Sequence, residues 1–257
     1  MLEPTAPSLR RLDIRPGHWG QWLATGVAGL VGFVVLALLL SLGDGIDQFD
    51  QRALAAVISV REPELTVFAG VVTRLGSASV VVWLSIAAAV VLWIRSRRIL
   101  MPIALLGALA ATASLVTIIK ITLARPRPPT DLVLGQPSIG YAFPSGHTSD
   151  GSVLVVLTAA MFALTVAKRL ARRILVIGAC LLALLIGWSR AYLGDHWPTD
   201  VLAGWLLAAT MVSVTMALVN LALVPYPGSE MPDVLDPETT PMTLQPTGPS
   251  RSSWPAP

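Results

Sequence analysis

Long apolar runs separated by short charged stretches set the pattern of this chain. Six of them reach or approach the roughly 20 residues that span a bilayer's hydrocarbon at about 1.5 Å rise per residue. They cover residues 22–42, about 77–94, 100–123, about 148–167, about 174–188 and about 199–223. The second has an interfacial stretch from near Leu65 as its approach, and the fifth, which is short, is expected to continue to Arg190. The predicted fold class is all-α: a polytopic membrane protein with a bundle of six transmembrane helices over residues 22–224. Residues 1–21 form an N-terminal tail. From Pro225 the chain is rich in Pro, Ser and Thr without apolar periodicity, so 225–257 is expected to be disordered. Between the first two runs, Ile46, Phe49, Ala53, Val57 and Val60 recur at helical spacing among Asp44, Asp47, Asp50, Arg52 and Arg61. Two readings stay open for 43–64: an amphipathic helix at the membrane interface, or a surface helix packed on the bundle.

Composition agrees with the pattern. Of 257 residues 54% are hydrophobic and 13% charged, where a soluble domain carries about a quarter charged. The net charge of +3 is small and informative only through its placement. Arg10, Arg11 and Arg15 precede the first run; Arg95, Arg97 and Arg98 join the second and third; Lys168, Arg169, Arg172 and Arg173 join the fourth and fifth. With an even number of spans these segments and both termini share one side, which the positive-inside rule makes the cytoplasm. Short loops and basic inner segments fit a bacterial inner membrane. The first run comes after a polar tail and is too long for a signal-peptide core, so it is read as an uncleaved helix. Aromatic residues are few and no basic stripe interleaves with them, which argues against nucleic-acid binding. The single cysteine, Cys180, excludes a disulfide within the chain and is expected to be a small buried hydrophobe.

Against this background three polar clusters stand out, all assigned to the outer ends of helices. Lys120 lies seven residues before Arg127-Pro128. Pro144-Ser145-Gly146-His147 opens the fourth run. Ser189-Arg190 closes the fifth, and His196 and Asp200 flank the start of the sixth. Ionisable groups in hydrocarbon are costly and need a reason. Four residues apart on a helix, Asp200 can hold one ring nitrogen of His196 and leave the other as a nucleophile. Serine and glycine at a helix entrance suit an anion. Lysine and arginine supply a point charge and forked contacts to phosphate oxygens. Taken singly, each cluster has a plainer reading: a capped helix start, or a cation reaching from a helix end to the interface. Arg74 and Arg125 fit that plainer reading and are left outside the site. Asp150 is read as helping to cap the fourth helix, with contact to His147 as the alternative.

Jointly the clusters read Lys-x6-Arg-Pro, Pro-Ser-Gly-His and Ser-Arg-x5-His-x3-Asp, in that order, from Lys120 to Asp200. This resembles the type 2 phosphatidic acid phosphatases, or lipid phosphate phosphatases, which share their site pattern with vanadium haloperoxidases and bacterial acid phosphatases. The resemblance implies that His196 attacks phosphorus, Asp200 orients it, and His147 protonates the leaving oxygen and then activates water. Lys120, Arg127 and Arg190 would clamp the phosphoryl oxygens, with Ser145 and the Gly146 amide as neutral donors. No carboxylate cluster able to hold Mg²⁺ is apparent, so no metal or cofactor is expected. The implied partner is a lipid phosphate in the outer leaflet: a polyprenyl diphosphate, phosphatidic acid or phosphatidylglycerophosphate. The alternatives are a lipid phosphotransferase with the same site, a haloperoxidase holding vanadate, or a non-enzymatic lipid-binding or transport protein. Oligomeric state is left open.

Overall fold

The computed structural model describes residues 18–223; residues 1–17 of the tail expected over 1–21 and the disorder expected over 225–257 lie outside the described residues, and the last four residues of that tail, 18–21, are helical. Eight α-helices succeed one another: α1 (His18–Ser41), α2 (Asp44–Ser59), α3 (Pro63–Arg74), α4 (Ala78–Ser96), α5 (Leu100–Leu123), α6 (Gly146–Ala163), α7 (Arg169–Tyr192) and α8 (Pro198–Leu223). A single 3-10 turn, Thr130–Leu132, interrupts the long connection between α5 and α6. Among the described residues there is no strand.

The apolar runs locate the helices but not all of their ends. Apolarity marks the stretch that meets hydrocarbon, whereas the backbone ladder continues into the polar interface. So α7 begins five residues before the run expected at 174–188 and ends at Tyr192, taking in the charged Arg169–Arg173 stretch at its start. The approach to the second run is a separate helix, α3, opened by Pro63 in its first turn. Helix α6 runs from Gly146 to Ala163 instead of 148–167. It unwinds through i→i−3 bonds from Leu164, Thr165 and Val166 to Met161, Phe162 and Ala163.

Among the described residues five helices are long and apolar enough to cross a membrane: α1, α4, α5, α7 and α8. The sixth expected span, α6, is not among them. Its 18 residues carry His147, Thr148, Ser149, Asp150, Ser152 and Thr158. The reason is its place in the bundle. It packs against α4, α5, α7 and α8, so protein surrounds it and its composition need not match lipid.

Helix α8 is the axis of the fold. It packs along α1 and also touches α5, α6 and α7, and 61% of its apolar window is buried against 17% for α7. The main core joins α4, α5, α6 and α8 through Val81, Leu92, Met101, Leu105, Leu157, Met161 and Met216. A second cluster, Phe33, Leu36, Val116, Phe143, Ala203 and Leu207, fixes α1 and the α5–α6 connection to α8. Outward faces are apolar too: Val27, Val82, Ile103, Ile118, Ile177 and Leu218 are exposed. Cys180, expected to be buried, lies on such a face of α7 and is exposed. A small apolar side chain that faces lipid has no need of a protein interior.

Helix α2 settles onto the bundle through Asp50 and Leu54, one turn apart and 0% and 1% exposed. The rest of the apolar stripe noted in the sequence is less buried: Phe49 and Val60 are exposed. The two basic connections, α4–α5 and α6–α7, meet at one end of the bundle, where Arg95 Nε donates to Thr165 Oγ1 at 3.4 Å.

Candidate active site

At the other end the chain folds three connections over the helix tips. Helix α5 stops at Ala124, which is left-handed (φ 46°), and Pro126, Pro128 and Pro129 keep the next residues out of a helix. The connection then doubles back, with Ala142 N donating to Arg125 O at 2.9 Å. It enters α6 beside α8, where Ser145 N donates to Asp200 O at 3.1 Å. That approach requires Gly204 on α8, since a Cβ there would meet Thr148 Cβ at 2.8 Å. The α7–α8 turn is held as firmly. Arg61 donates from Nε to Tyr192 O and from Nη2 to Leu132 O, both at 2.9 Å. Leu134 N donates to Leu193 O at 2.8 Å. Gly194 has φ +80°, and a Cβ on it would collide with Leu132 O, so only glycine fits.

His196 lies in this turn, 2% exposed. Its Nδ1 lies 3.4 Å from Asp200 Oδ2, and its Nε2 lies 3.2 Å from Arg127 Nη1. The first contact leaves Nε2 as the nitrogen that faces the cations. Burial first, and then Arg190, Arg127 and Lys120, hold the His196 imidazolium well below the ordinary value of 6.5. The ring is therefore neutral and able to attack. Asp200 sits in the first turn of α8 and accepts Trp197 N at 3.0 Å, closing the helix start as well as holding the ring.

The cations converge on the same space. Arg127 Nε donates to Gly140 O at 2.9 Å, and its Nη2 to Tyr141 O at 3.3 Å. Arg190 donates from Nη1 to Thr73 Oγ1 at 2.7 Å, while its Nε is buried with no partner among the described residues. Lys120 Nζ donates to Tyr141 O at 2.5 Å and Ala142 O at 3.2 Å. His147 is half-buried at the first turn of α6, within electrostatic reach of Arg190, Asp195, Arg127 and Lys120. Ser145 is buried and its Oγ accepts from Thr148 Oγ1 at 2.9 Å. No side chain caps α6, which leaves the amides around Gly146 at an uncapped, anion-attracting helix start. The eight residues singled out in the sequence thus lie at one end of the bundle.

Asp195, Ser138, Arg125 and Asp50 escape a reading of the sequence. Asp195, 3% exposed, accepts from Arg190 Nη2, from Arg127 Nη1 at 3.2 Å, and from Ser138 Oγ at 2.6 Å and Ser138 N at 2.9 Å. Arg125, expected to be a plain helix-end cation, instead bridges two buried carboxylates. Its Nη1 reaches Asp200 Oδ1 and its Nη2 reaches Asp50 Oδ2, both at 2.6 Å, and its guanidinium lies 5.8 Å from the Trp197 ring centroid. Asp50 also accepts Thr199 N at 3.0 Å and Thr199 Oγ1. The correction has a simple cause. The left-handed residue at Ala124 turns the chain at the end of α5, and Arg125 then points across to α2 and α8 instead of outward. Asp150 does not cap α6, and its Oδ1 is buried without a partner among the described residues.

The chain is similar to known proteins. The model of the PAP2 superfamily matches residues 101–223. An undecaprenyl-diphosphatase of Sulfolobus acidocaldarius is 32% identical over 138 residues, which cover 50% of this chain and 59% of that protein. A phosphatidylglycerophosphatase B of Haemophilus influenzae is 38% identical over 69 residues, 27% of this chain and 29% of its own. The chain thus aligns with less than two thirds of either relative. The crystal structure of a transmembrane PAP2 type phosphatidylglycerolphosphate phosphatase from Bacillus subtilis has the same fold. It gives a TM-score of 0.70 at 21% identity, covering 78% of this chain and 98% of that one. The segment matched by the PAP2 superfamily model, residues 101–223, holds Lys120 near its start and His196 and Asp200 towards its end.

Proposed function

We propose that the chain is a membrane phosphatase that removes the terminal phosphate of a lipid through a phosphohistidine at His196. The observation that carries this reading is a neutral, buried imidazole held on one nitrogen by Asp200, with its other nitrogen beside Arg127 and near Arg190 and Lys120. In the first step Nε2 bonds to phosphorus as the bond to the leaving lipid oxygen breaks, and His147 gives that oxygen a proton. In the second, water attacks the phosphohistidine, His147 takes its proton, and inorganic phosphate leaves. Lys120, Arg127 and Arg190, with Ser145 and the Gly146 amide, neutralise charge on the equatorial oxygens. A cavity of about 390 Å³ beside the site, lined by Leu40, Leu123, Phe143 and Trp197 with Asp47 and the paired Arg125, offers apolar wall for a lipid chain. Among lipids a polyprenyl diphosphate is favoured, in keeping with the name of the archaeal relative.

The test is phosphate release by purified protein in detergent from a panel of polyprenyl diphosphates, phosphatidic acid and phosphatidylglycerophosphate. Release should persist in EDTA, because side chains supply the positive charge. It should be inhibited by vanadate, whose five-coordinate form imitates the transition state. Activity lost to EDTA and restored by Mg²⁺ would reject this site chemistry.

The same reading has α6 crossing the bilayer as a sixth span sheathed by its neighbours, with the basic connections in the cytoplasm and the site on the outer face. A cysteine replacing Leu134, in a Cys180→Ser background, should react with a membrane-impermeant maleimide on intact cells. One replacing Arg97 should react only after the membrane is opened. The reverse pattern overturns the orientation.

A further inference from the structure

Asp195 stands where the proposed chemistry needs an anion. One of its oxygens, Oδ2, collects Arg190 Nη2, Arg127 Nη1 and Ser138 Oγ, and lies 3.9 Å from His196 Nε2. Two guanidinium donors and a hydroxyl around one oxygen, within reach of the attacking nitrogen, are the surroundings of a phosphoryl oxygen. Burial works against the charge, but Arg190 and both Ser138 bonds hold the carboxyl down at about 2. The group is therefore an anion at any working pH.

A scaffolding role does not account for the contacts. Arg127 is already oriented by Gly140 O and Tyr141 O, and Arg190 by Thr73 Oγ1. Each guanidinium thus has partners besides the Asp195 carboxylate. What the carboxylate adds is compensation of two buried like charges while no phosphate is bound. It does so by using the donors that a phosphate would use.

We propose that Asp195 is a tethered competitor for the phosphate seat, which lipid phosphates displace and free inorganic phosphate displaces poorly. The inference rests on the phosphatase reading above. A lipid phosphate brings the binding energy of its chain to the exchange, whereas inorganic phosphate brings only its oxygens. The carboxylate thereby selects against the released product and helps to expel it after the second step. Its return to Arg127 and Arg190 accompanies phosphate departure, with no bond made or broken beyond hydrogen bonds and ion pairs.

The test is direct binding of inorganic phosphate to the purified full chain in detergent. It is read by calorimetry and by the phosphate-induced rise in Tm, for wild type, Asp195→Asn and Ser138→Ala. Asp195→Asn should melt lower than wild type without phosphate. It should bind phosphate about tenfold tighter or more, because the seat no longer has to be vacated first, and should show the larger Tm rise. Ser138→Ala, which loosens the tether and keeps the charge, should shift affinity the same way by less. The Ki of phosphate as product inhibitor should fall in parallel. Phosphate binding that is unchanged or weaker in Asp195→Asn makes the residue a scaffold and overturns the inference. If Asp195→Asn does not fold, Ser138→Ala decides by the same criterion. Lipid phosphate hydrolysis by wild type is scored separately, so an active enzyme whose variants bind phosphate no better rejects this inference alone.

Discussion

His196→Ala is expected to abolish phosphate release from every lipid phosphate while the bundle stays folded. The ring offers a lone pair on an oriented, neutral nitrogen, so its loss removes the bond-forming atom itself. Loss of a covalent nucleophile costs on the order of 10⁴- to 10⁶-fold in kcat. The residue lies in a turn fixed by Arg61, Leu134 and Gly194, not by its own side chain, and the melting temperature should move little. Wild type quenched under neutral or alkaline conditions during turnover should hold phosphate on protein, and the variant should not. The pH profile has a definite sign. Burial and the neighbouring cations penalise the imidazolium, and the reactive form is the neutral ring. Once the substrate's own ionisation near about 6 is divided out, kcat/KM should not fall as pH drops through the ordinary histidine value of 6.5. An acid limb at that value assigned to His196, or near-normal turnover by His196→Ala, would reject the nucleophile.

Arg125→Met is expected to cost more in stability than any other single change at this end of the bundle. Asp50 and Asp200 are both fully buried, and Arg125 is the cation between them. Removing one partner of a buried ion pair costs about 3–5 kcal/mol because it strands the other. For a chain of this size that lowers Tm by on the order of 10 °C. Activity should fall as well, since Asp200 loses the contact that fixes it against His196. Arg125→Lys should recover only part of both, because an ammonium cannot fork to two carboxylates from different helices. Adding Asp50→Asn to Arg125→Met should return some stability but little turnover, which separates the charge balance from the orientation of Asp200. A Tm and turnover close to wild type in Arg125→Met would remove Arg125 from the network.

The motif residues are legible because each group is compact in sequence and sits next to an apolar run. His196 and Asp200 are one helical turn apart, and Ser145, Gly146 and His147 are consecutive. Hydropathy locates the long helices for a similar reason, since α1, α4, α5, α7 and α8 each carry a long uninterrupted apolar stretch. It overstates α6, whose surroundings are protein. The residues that escape it share a different property. Asp195 meets Ser138 57 positions away, Arg125 meets Asp200 75 away, and Asp50 meets Thr199 149 away, so no local spacing announces them. Some signal is present. Asp50 sits one turn before Leu54 on α2, and an aspartate in phase with a buried leucine asks for a buried cation. Of the apolar stripe, Phe49 and Val60 are exposed while Ile46, Ala53 and Val57 are half-buried.

The polarity of α6 bears on how the protein is made. On the proposed topology, a segment with a histidine, an aspartate and several hydroxyls is a poor span when it emerges from the ribosome alone, because polar side chains weaken its partition into lipid. Helix α6 therefore depends on α5, already in place, and on α7 and α8, synthesised after it, to cover its polar side chains. Ser145 and Thr148, on either side of His147, reach their places only against α8, at Asp200 O and Gly204. His196 and Asp200 lie on that last helix or just before it. On that reading, assembly of the helical bundle and completion of the proposed site are one event.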